Sequence, residues 1–327
     1  MSMHVLVAGG AGYIGSHVCK SLKNAGFTPV VIDNLSQGHL WAVRWGPLVR
    51  ANIDDEKTIK EAISKYKPVG TIHLASSINV RDSLKDPFAY YQNNVMASLR
   101  FLEILLKEGI NCFVFSSSAA VYGQPSSTPI GEEHSKQPLH PYGRSKLMVE
   151  EILHDLHHAH GLVFAALRYF NASGSDPEGE VGEAHDPETH LIPLAITSAL
   201  GLRPPLQLYG KNFPTSDGTA IRDYIHVSDL AEAHVKTLQL LLSEKKNLIL
   251  NLGTGEGYSV SQILEQVKKV VGKEVPVTLA PRVPADPTSL VADPSRAKQL
   301  LHWTPRYSSL TTIIETAYDW ERKRSDE

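Results

Sequence analysis

The sequence predicts an α/β protein: a doubly wound parallel sheet with a smaller C-terminal α/β lobe. Three observations carry this. Short apolar runs rich in Val, Ile and Phe alternate with helix-period segments through the first half, the pattern of a parallel sheet covered on both faces. A glycine-rich turn, with Gly9, Gly12 and Gly15 in G-x-x-G-x-x-G spacing, joins the first run to the first helical segment. At 327 residues the chain exceeds the usual size of one core, so two lobes are expected.

The elements follow in order. His4–Ala8 is a short apolar strand and Tyr13–Ala25 has helical spacing. Thr28–Asp33 is a strand, Asp55–Tyr66 a helix, Val69–Ala75 a strand and Pro87–Lys107 one long helix. Asn111–Ser117, Tyr142–His160 and Leu162–Phe170 continue as strand, helix and strand. After Asn171 the alternation breaks, and Gly174–Gly182 and Gly201–Gly218 have loop composition. Val227–Leu242 is expected as a helix and Asn247–Leu252 as a strand, both rejoining the first sheet. Beyond Gly253 come a helix (Ser259–Val271), a short strand (Val275–Leu279), a proline-rich loop (Pro281–Pro287) and two terminal helices. The expected division is residues 1–171, with 224–252 rejoining them, against 172–223 and 253–327.

Composition narrows the class. The chain is 42% apolar and 20% charged, ordinary for a soluble globular protein. A formal net charge of −3 argues against a nucleic-acid surface. Cys19 and Cys112 are far apart in apolar-periodic segments and read as buried thiols rather than a disulfide or metal pair. No run approaches the length of a membrane span, and the chain enters a strand at once, so no leader and a cytoplasmic setting are expected. Among fifteen histidines, His154, His157, His158 and His160 cluster. They lie on an amphipathic helix without a Cys partner, which reads as a solvated face, and no metal is expected.

Two constellations carry chemistry. In the first, glycine suits a tight turn, close backbone approach to a pyrophosphate and packing of helix on strand. The helix start supplies free N–H groups and a positive dipole end for an anion. Asp33 follows Gly15 by 18 residues, at the end of the second strand. A carboxylate there bonds ribose hydroxyls and repels a 2′-phosphate, so NAD is favoured over NADP. In the second, FSSSAAVYG at Phe115–Gly123 is followed by PYGRSK, with Tyr142 and Lys146 four residues apart. A helix begun at Pro141 puts both on one face. An ammonium near a phenol favours the phenolate and is expected to lower the tyrosine pKa from about 10, which makes it a usable proton acceptor. Ser116, Ser117 and Ser118 end a strand at the carboxyl edge, where doubly wound sheets bind ligands.

With GGAGYIGS, VIDNLS, LRYFNASG, GTAIRDYIHVSDLA, NLGTGEGYSV and VADPSRAKQLLHW, these motifs resemble the extended short-chain dehydrogenase/reductases, Rossmann proteins. Within them they resemble the UDP-glucose (UDP-galactose) 4-epimerases, over nearly the whole length. The resemblance implies a catalytic set of Ser118, Tyr142 and Lys146. Tyr142 takes the proton of the sugar 4-hydroxyl, Lys146 binds the nicotinamide ribose and tunes Tyr142, and Ser118 bonds the sugar oxygen. A hydride leaves sugar C4 for a tightly held NAD and returns on the other face of the 4-keto sugar. The resemblance further implies Tyr13 and Ile14 amides on the pyrophosphate and Asp33 and Asn34 on the adenosine ribose. Ile53, Leu74, Ala75, Ser76, Asn93 and Ser116 should line the cofactor, with Tyr169 and Phe170 near the nicotinamide. Asn171, His190, Leu191, Tyr209, Arg222 and Asp286 should hold the UDP moiety, and Leu290 should limit space beside the sugar's C2 substituent, disfavouring N-acetyl forms. A homodimer is implied, built on the helices Pro87–Lys107 and Tyr142–His160. The stripe Val95, Leu99, Leu102 and Leu106 suits that interface, or equally the protein's own sheet.

Departures from the pattern bear on the substrate. Ala119 and Ala120 stand where nucleotide-sugar dehydratases and decarboxylases carry acids, so elimination is disfavoured. Asn52 replaces an acid, Ile78 a lysine and His190 an asparagine. The usual R-R-x-G-D reads Arg282-Val283-Pro284-Ala285-Asp286, so a diphosphate arginine falls on Val283 and Arg282 would have to take its role. Arg222 suits a diphosphate, having paired charged donors, or forms a surface ion pair with Asp223. The competing functions are a 4-epimerase of another UDP-sugar (pentose, uronate or N-acetylhexosamine), a net NAD-dependent oxidoreductase and a non-catalytic dinucleotide-binding regulator.

Overall fold

The computed structural model describes residues 3–283 and 286–326. Pro284 and Ala285, in the middle of the Arg282–Asp286 loop, lie outside the described residues.

In chain order the first half runs β1 (His4–Ala8), α1 (Tyr13–Asn24), β2 (Thr28–Asp33), β3 (Leu48–Arg50), α2 (Glu56–Tyr66), β4 (Gly70–His73), α3 (Val80–Lys85), α4 (Pro87–Tyr91), a π-helical turn (Gln92–Met96), α5 (Ala97–Lys107), β5 (Cys112–Ser118), α6 (Pro141–His160) and β6 (Val163–Tyr169). The second half has β7 (Asn171–Ser173), α7 (Leu191–Ala199), β8 (Leu206–Tyr209), β9 (Ile221–Arg222), β10 (Tyr224–His226), α8 (Val227–Glu244), β11 (Leu248–Leu252), β12 (Tyr258–Ser259), α9 (Val260–Val271), β13 (Val277–Ala280), β14 (Ser289–Leu290), α10 (Ser295–Leu301) and α11 (Leu310–Asp326).

Seven strands form one parallel sheet in the order β11-β6-β5-β4-β1-β2-β3. The order turns back between β1 and β4, the switch point where doubly wound sheets open a ligand crevice. The strands are apolar on both faces because each face is covered. Alternate residues of β1 divide between the two cores: Val5 and Val7 pack toward α1 and α8, Leu6 and Ala8 toward α2, α5 and α6. Each fully buried Val, Leu or Ile contributes about 1.5–3 kcal/mol. A separate apolar cluster joins α7, α9 and α11 through Ile192, Ile196, Ile263, Val267, Ile313 and Ile314, and three short sheets (β10-β7, β12-β9-β14 and β13-β8) stand outside the main one.

Several local details depart from the sequence expectation. The edge strand β3 and the short helix α3 carry too few residues for a periodic signal. The expected single helix over Pro87–Lys107 contains the π turn. Its extra residue turns Asn94 inward, where its amide takes Ser77 N–H at 2.8 Å and donates to Ser77 O at 3.0 Å and Ser145 Oγ at 3.1 Å. π turns of this kind concentrate at functional sites. The expected interface stripe also divides. Leu102 is wholly buried against the sheet and Leu106 packs on the same core, whereas Leu99 is exposed. The large apolar side chains left exposed on these helices are Phe88, Met96, Leu99 and Met148, with Leu84 on the preceding α3.

Candidate functional site

The glycine turn is built as its spacing requires. Gly9 has φ +81°, and a Cβ there would meet Ala75 N at 2.6 Å, because the chain leaving β4 at Leu74 and Ala75 runs against it. A Cβ on Gly15 would sit 2.0 Å from Gly9 O, whereas one on Gly12 would meet only Gly9 O, at 3.4 Å. The turn is thus closed on the protein side at Gly9 and Gly15 and open at Gly12, which caps α1 and precedes the free amides of Tyr13 and Ile14. Asp33 ends β2 and accepts from Ala11 N–H at 3.0 Å and Leu35 N–H at 2.8 Å. Two bonds leave the carboxylate further acceptor capacity. Asn34 donates to Asn52 Oδ1 at 2.8 Å. Ile53 is buried on the α2 side, and the Asn93 amide donates to Ser77 Oγ at 3.2 Å. A glycine-shaped cradle, a helix N-terminus and an acid at the neighbouring strand end fit a dinucleotide.

The second constellation lies at the carboxyl edge of β5 and on the first two turns of α6. His140 caps α6 by accepting Gly143 N–H, and Pro141 takes the first helical position. Ser118, Tyr142 and Lys146 are all buried. Ser118 Oγ accepts Ala120 N–H at 3.2 Å, and Ser118 is the neighbour that favours the Tyr142 phenolate. Lys146 Nζ donates to Ser76 Oγ at 2.7 Å and to Ser116 O at 2.8 Å, so one ammonium ties the ends of β4 and β5 together. Ser116 Oγ meets His234 Nε2 at 3.0 Å. Behind them, Glu150, one turn beyond Lys146, accepts Ser117 Oγ–H at 2.5 Å and holds Arg168 through two oxygens at 2.9 and 2.6 Å. This pair is almost wholly buried, and removing one partner of such a pair costs about 3–5 kcal/mol.

One expectation is corrected here. Burial pushes the Tyr142 phenol up, and only Ser118 pulls it back. Burial also lowers Lys146 to about 7, with the Glu150 charge opposing. Desolvation penalises both charged forms, so in the protein alone the lysine does not bring the phenol below its usual range.

A cavity of about 320 Å³ lies among the residues that follow β6, the start of α7, the end of β8 and α11, with Tyr13 and Arg81 from the first half of the chain in its wall. Of the expected residues, Tyr13, Asn171, His190, Leu191, Tyr209, Arg222 and Asp286 line it. Ser118, Tyr142, Lys146 and Leu290 do not; Phe170 and Leu290 pack instead with Ala119, Val121 and Tyr122, which follow β5. β14 pairs with β9 so that Leu290 stands opposite Arg222. Arg222 is ion-paired with Asp286, not with Asp223. Asp223 is buried and accepts the N–H groups of Thr254, Gly255 and Ala292. Arg282 donates to Asp286 O at 3.1 Å and its guanidinium lies 4.0 Å over the Phe213 ring, outside the cavity wall.

The sequence reading missed other wall residues: Arg81, Ser175, Glu183, Gln207, Tyr224 and Glu321. Ser175 and Glu183 come from loops, Arg81, Gln207 and Tyr224 from the short elements α3, β8 and β10, and Glu321 from distant α11, where no local pattern marks them. It also missed the Tyr13 hydroxyl, which donates to Gly174 O at 2.6 Å and so links the glycine turn to the cavity. At the cavity edge His190 Nδ1 lies 2.7 Å from Glu188 Oε1 and 3.5 Å from Glu183 Oε2. With His185 these groups could ligate a cation; each histidine already has a carboxylate partner.

Comparison with known proteins agrees with this geometry. Residues 5–253 match the model of the NAD dependent epimerase/dehydratase family. The chain is 47% identical to a UDP-glucose 4-epimerase of Rhizobium leguminosarum bv. trifolii, covering 98% of this chain and 97% of that one. The structure of UDP-glucose 4-epimerase from Brucella ovis in complex with NAD superposes with a TM-score of 0.95 at 48% identity, covering 97% of this chain and 98% of that one. The enzyme from Bifidobacterium longum, in complex with NAD+ and UDP, gives 0.94 at 33% identity over 99% of both chains.

Proposed function

The chain belongs to the NAD dependent epimerase/dehydratase family, and within it we propose that the protein interconverts UDP-galactose and UDP-glucose by inversion at sugar C4. The observation that carries this reading is the joint burial of Ser118, Tyr142 and Lys146 at the meeting of β5 and α6, with Lys146 tied to β4 and β5, in one fold with a dinucleotide turn and a cavity lined by Arg222. The Gly9–Gly15 turn, Asp33 and Asn34 would hold NAD, which would supply the hydride acceptor and donor for C4. Tyr142 Oη takes the proton of the 4-hydroxyl and returns it. Ser118 orients that oxygen, and Lys146 places its charge where the phenolate and the ribose meet it. Arg222, Asn171, Leu191, Tyr209, His190 and Asp286 grip the nucleotide, while the 4-keto sugar turns about its diphosphate tether and is reduced on its other face. Ala119 and Ala120 offer no acid–base pair, so elimination does not compete. Leu290, beside Phe170, narrows the sugar side and favours plain hexoses over N-acetyl forms.

We read the protein as a homodimer, supported by the exposed Phe88, Met96, Leu99 and Met148 on the helices expected to pair. We place it in the cytoplasm, supported by two buried free thiols; among the described residues no helix is long and apolar enough to cross a membrane.

NMR of UDP-galactose incubated with purified protein, with no NAD added, tests the reaction. UDP-glucose signals should appear, and denatured protein should release NAD. Conversion that needs added, exchanging NAD, with net oxidation of the sugar, would assign the chain to the nucleotide-sugar oxidoreductases instead.

A further inference from the structure

The cavity walls hold three carboxylates, Glu183, Asp286 and Glu321. A diphosphate entering there is repelled unless cations offset both its own charge and theirs. Arg222 already shares its charge with Asp286, and His190 sits against Glu188 and Glu183. Arg282 lies outside the wall on Phe213, and position 283 is a valine.

Arg81 is different. It comes from α3, apart in sequence from the segments 171–193 and 207–224 that supply most of the wall, and it lines the cavity. The Asn79 side chain, capping α3, accepts the Arg81 and Asp82 N–H groups at 3.0 and 3.2 Å, so the guanidinium springs from an anchored first turn. The nearest carboxylate in sequence, Asp82, is taken by Lys85 at 3.2 Å. Among the described residues no carboxylate pairs with Arg81. Its guanidinium instead lies 3.8 Å from the centre of the Tyr209 ring, at the end of β8. It is an exposed cation held over a cavity mouth by an aromatic face, a weaker hold than a charge-assisted bond to phosphate.

We propose that Arg81 is the second cation for the substrate's diphosphate, reaching from α3 over Tyr209 into the cavity that Arg222 lines. The proposal rests on reading the cavity as the UDP-sugar site. It names a residue outside the expected UDP set.

Calorimetric binding of UDP and of uridine to wild type, Arg81→Ala and Arg81→Lys tests it, together with KM and kcat for UDP-galactose. Arg81→Ala should weaken UDP roughly 10–100-fold, the loss expected for one charge-assisted contact, and leave uridine within about twofold. KM should rise with kcat nearly unchanged, because such a contact acts on substrate and transition state alike. Arg81→Lys should recover part of the loss, keeping the charge without the fork. Unchanged UDP affinity in Arg81→Ala, or equal losses for UDP and uridine, would overturn the proposal; the latter would mean that Arg81 only supports Tyr209 against the base. If wild type bound no UDP, the reading of the cavity itself would fail, and this proposal with it.

Discussion

Tyr142 shows how far one side chain depends on its neighbours. Its phenol is held up by burial and restrained only by Ser118, while Lys146 is lowered to about 7. A phenol so placed yields its proton only when positive charge is held beside it, which is the work proposed for Lys146 and the cofactor. Tyr142→Phe keeps the ring and its packing and removes the proton acceptor. Turnover of UDP-galactose should fall about 10²–10⁴-fold, the usual loss for a positioned acid–base group, while NAD stays bound. Initial rates and cofactor absorbance on the same preparation check this; turnover at the wild-type rate would remove Tyr142 from the mechanism. The spacing of Tyr142 and Lys146 was legible in the sequence because a helix repeats its faces every three to four residues. The direction of the phenol shift was not, because burial belongs to the folded chain.

At the scale of elements, local rules mark the helix ends. Ser259 and Gln262 form a capping box at the start of α9, and Gly272 closes its end in the left-handed conformation, as Ser-x-x-Gln before an apolar run implies. The π turn at Gln92–Met96 had no such mark; it is decided by what Asn94 can bond across to Ser77 and Ser145. The start of α7 makes a pH prediction. Burial opposes charge on His190, but its bond to Glu188 and the charges of Glu183 and Glu188 prevail and raise it to about 9. A histidine raised above its ordinary value near 6.5 stabilises the fold fully below that value, and the contribution is lost as pH rises through about 9. The imidazole is 36% exposed, so screening trims the effect. The melting temperature of wild type should therefore fall more between pH 6.5 and 9 than that of His190→Asn. Parallel melting curves for the two proteins across this range would refute it.

For the whole molecule, assembly follows from what the fold leaves outside. Leu102 and Leu106 went to the protein's own core, while Leu84, Phe88, Met96, Leu99 and Met148 remain at the surface of neighbouring helices. Clustered exposed apolar groups mark interaction surfaces. Light scattering at micromolar concentration should give twice the 35.9 kDa chain mass, and Phe88→Glu with Leu99→Glu should halve it. A wild-type monomer would remove the dimer.

The sequence by itself determined the parallel sheet, its switch-point crevice, the glycine turn with Asp33 and the placement of Tyr142 and Lys146 near each other on α6. Each is written in short-range spacing that backbone geometry turns directly into position: period two or continuous apolar runs for strands, period 3.6 for helices, glycine where a Cβ would meet backbone. Only the tertiary structure decided that Arg222 meets Asp286 rather than Asp223, that Arg282 leaves the cavity, that Arg81 enters it and that Leu99 rather than Leu102 faces outward. Those outcomes depend on contacts between residues tens to hundreds of positions apart. There the choice of partner is set by burial, by charges already satisfied and by which lobe closes on which, and none of these leaves a trace in local order.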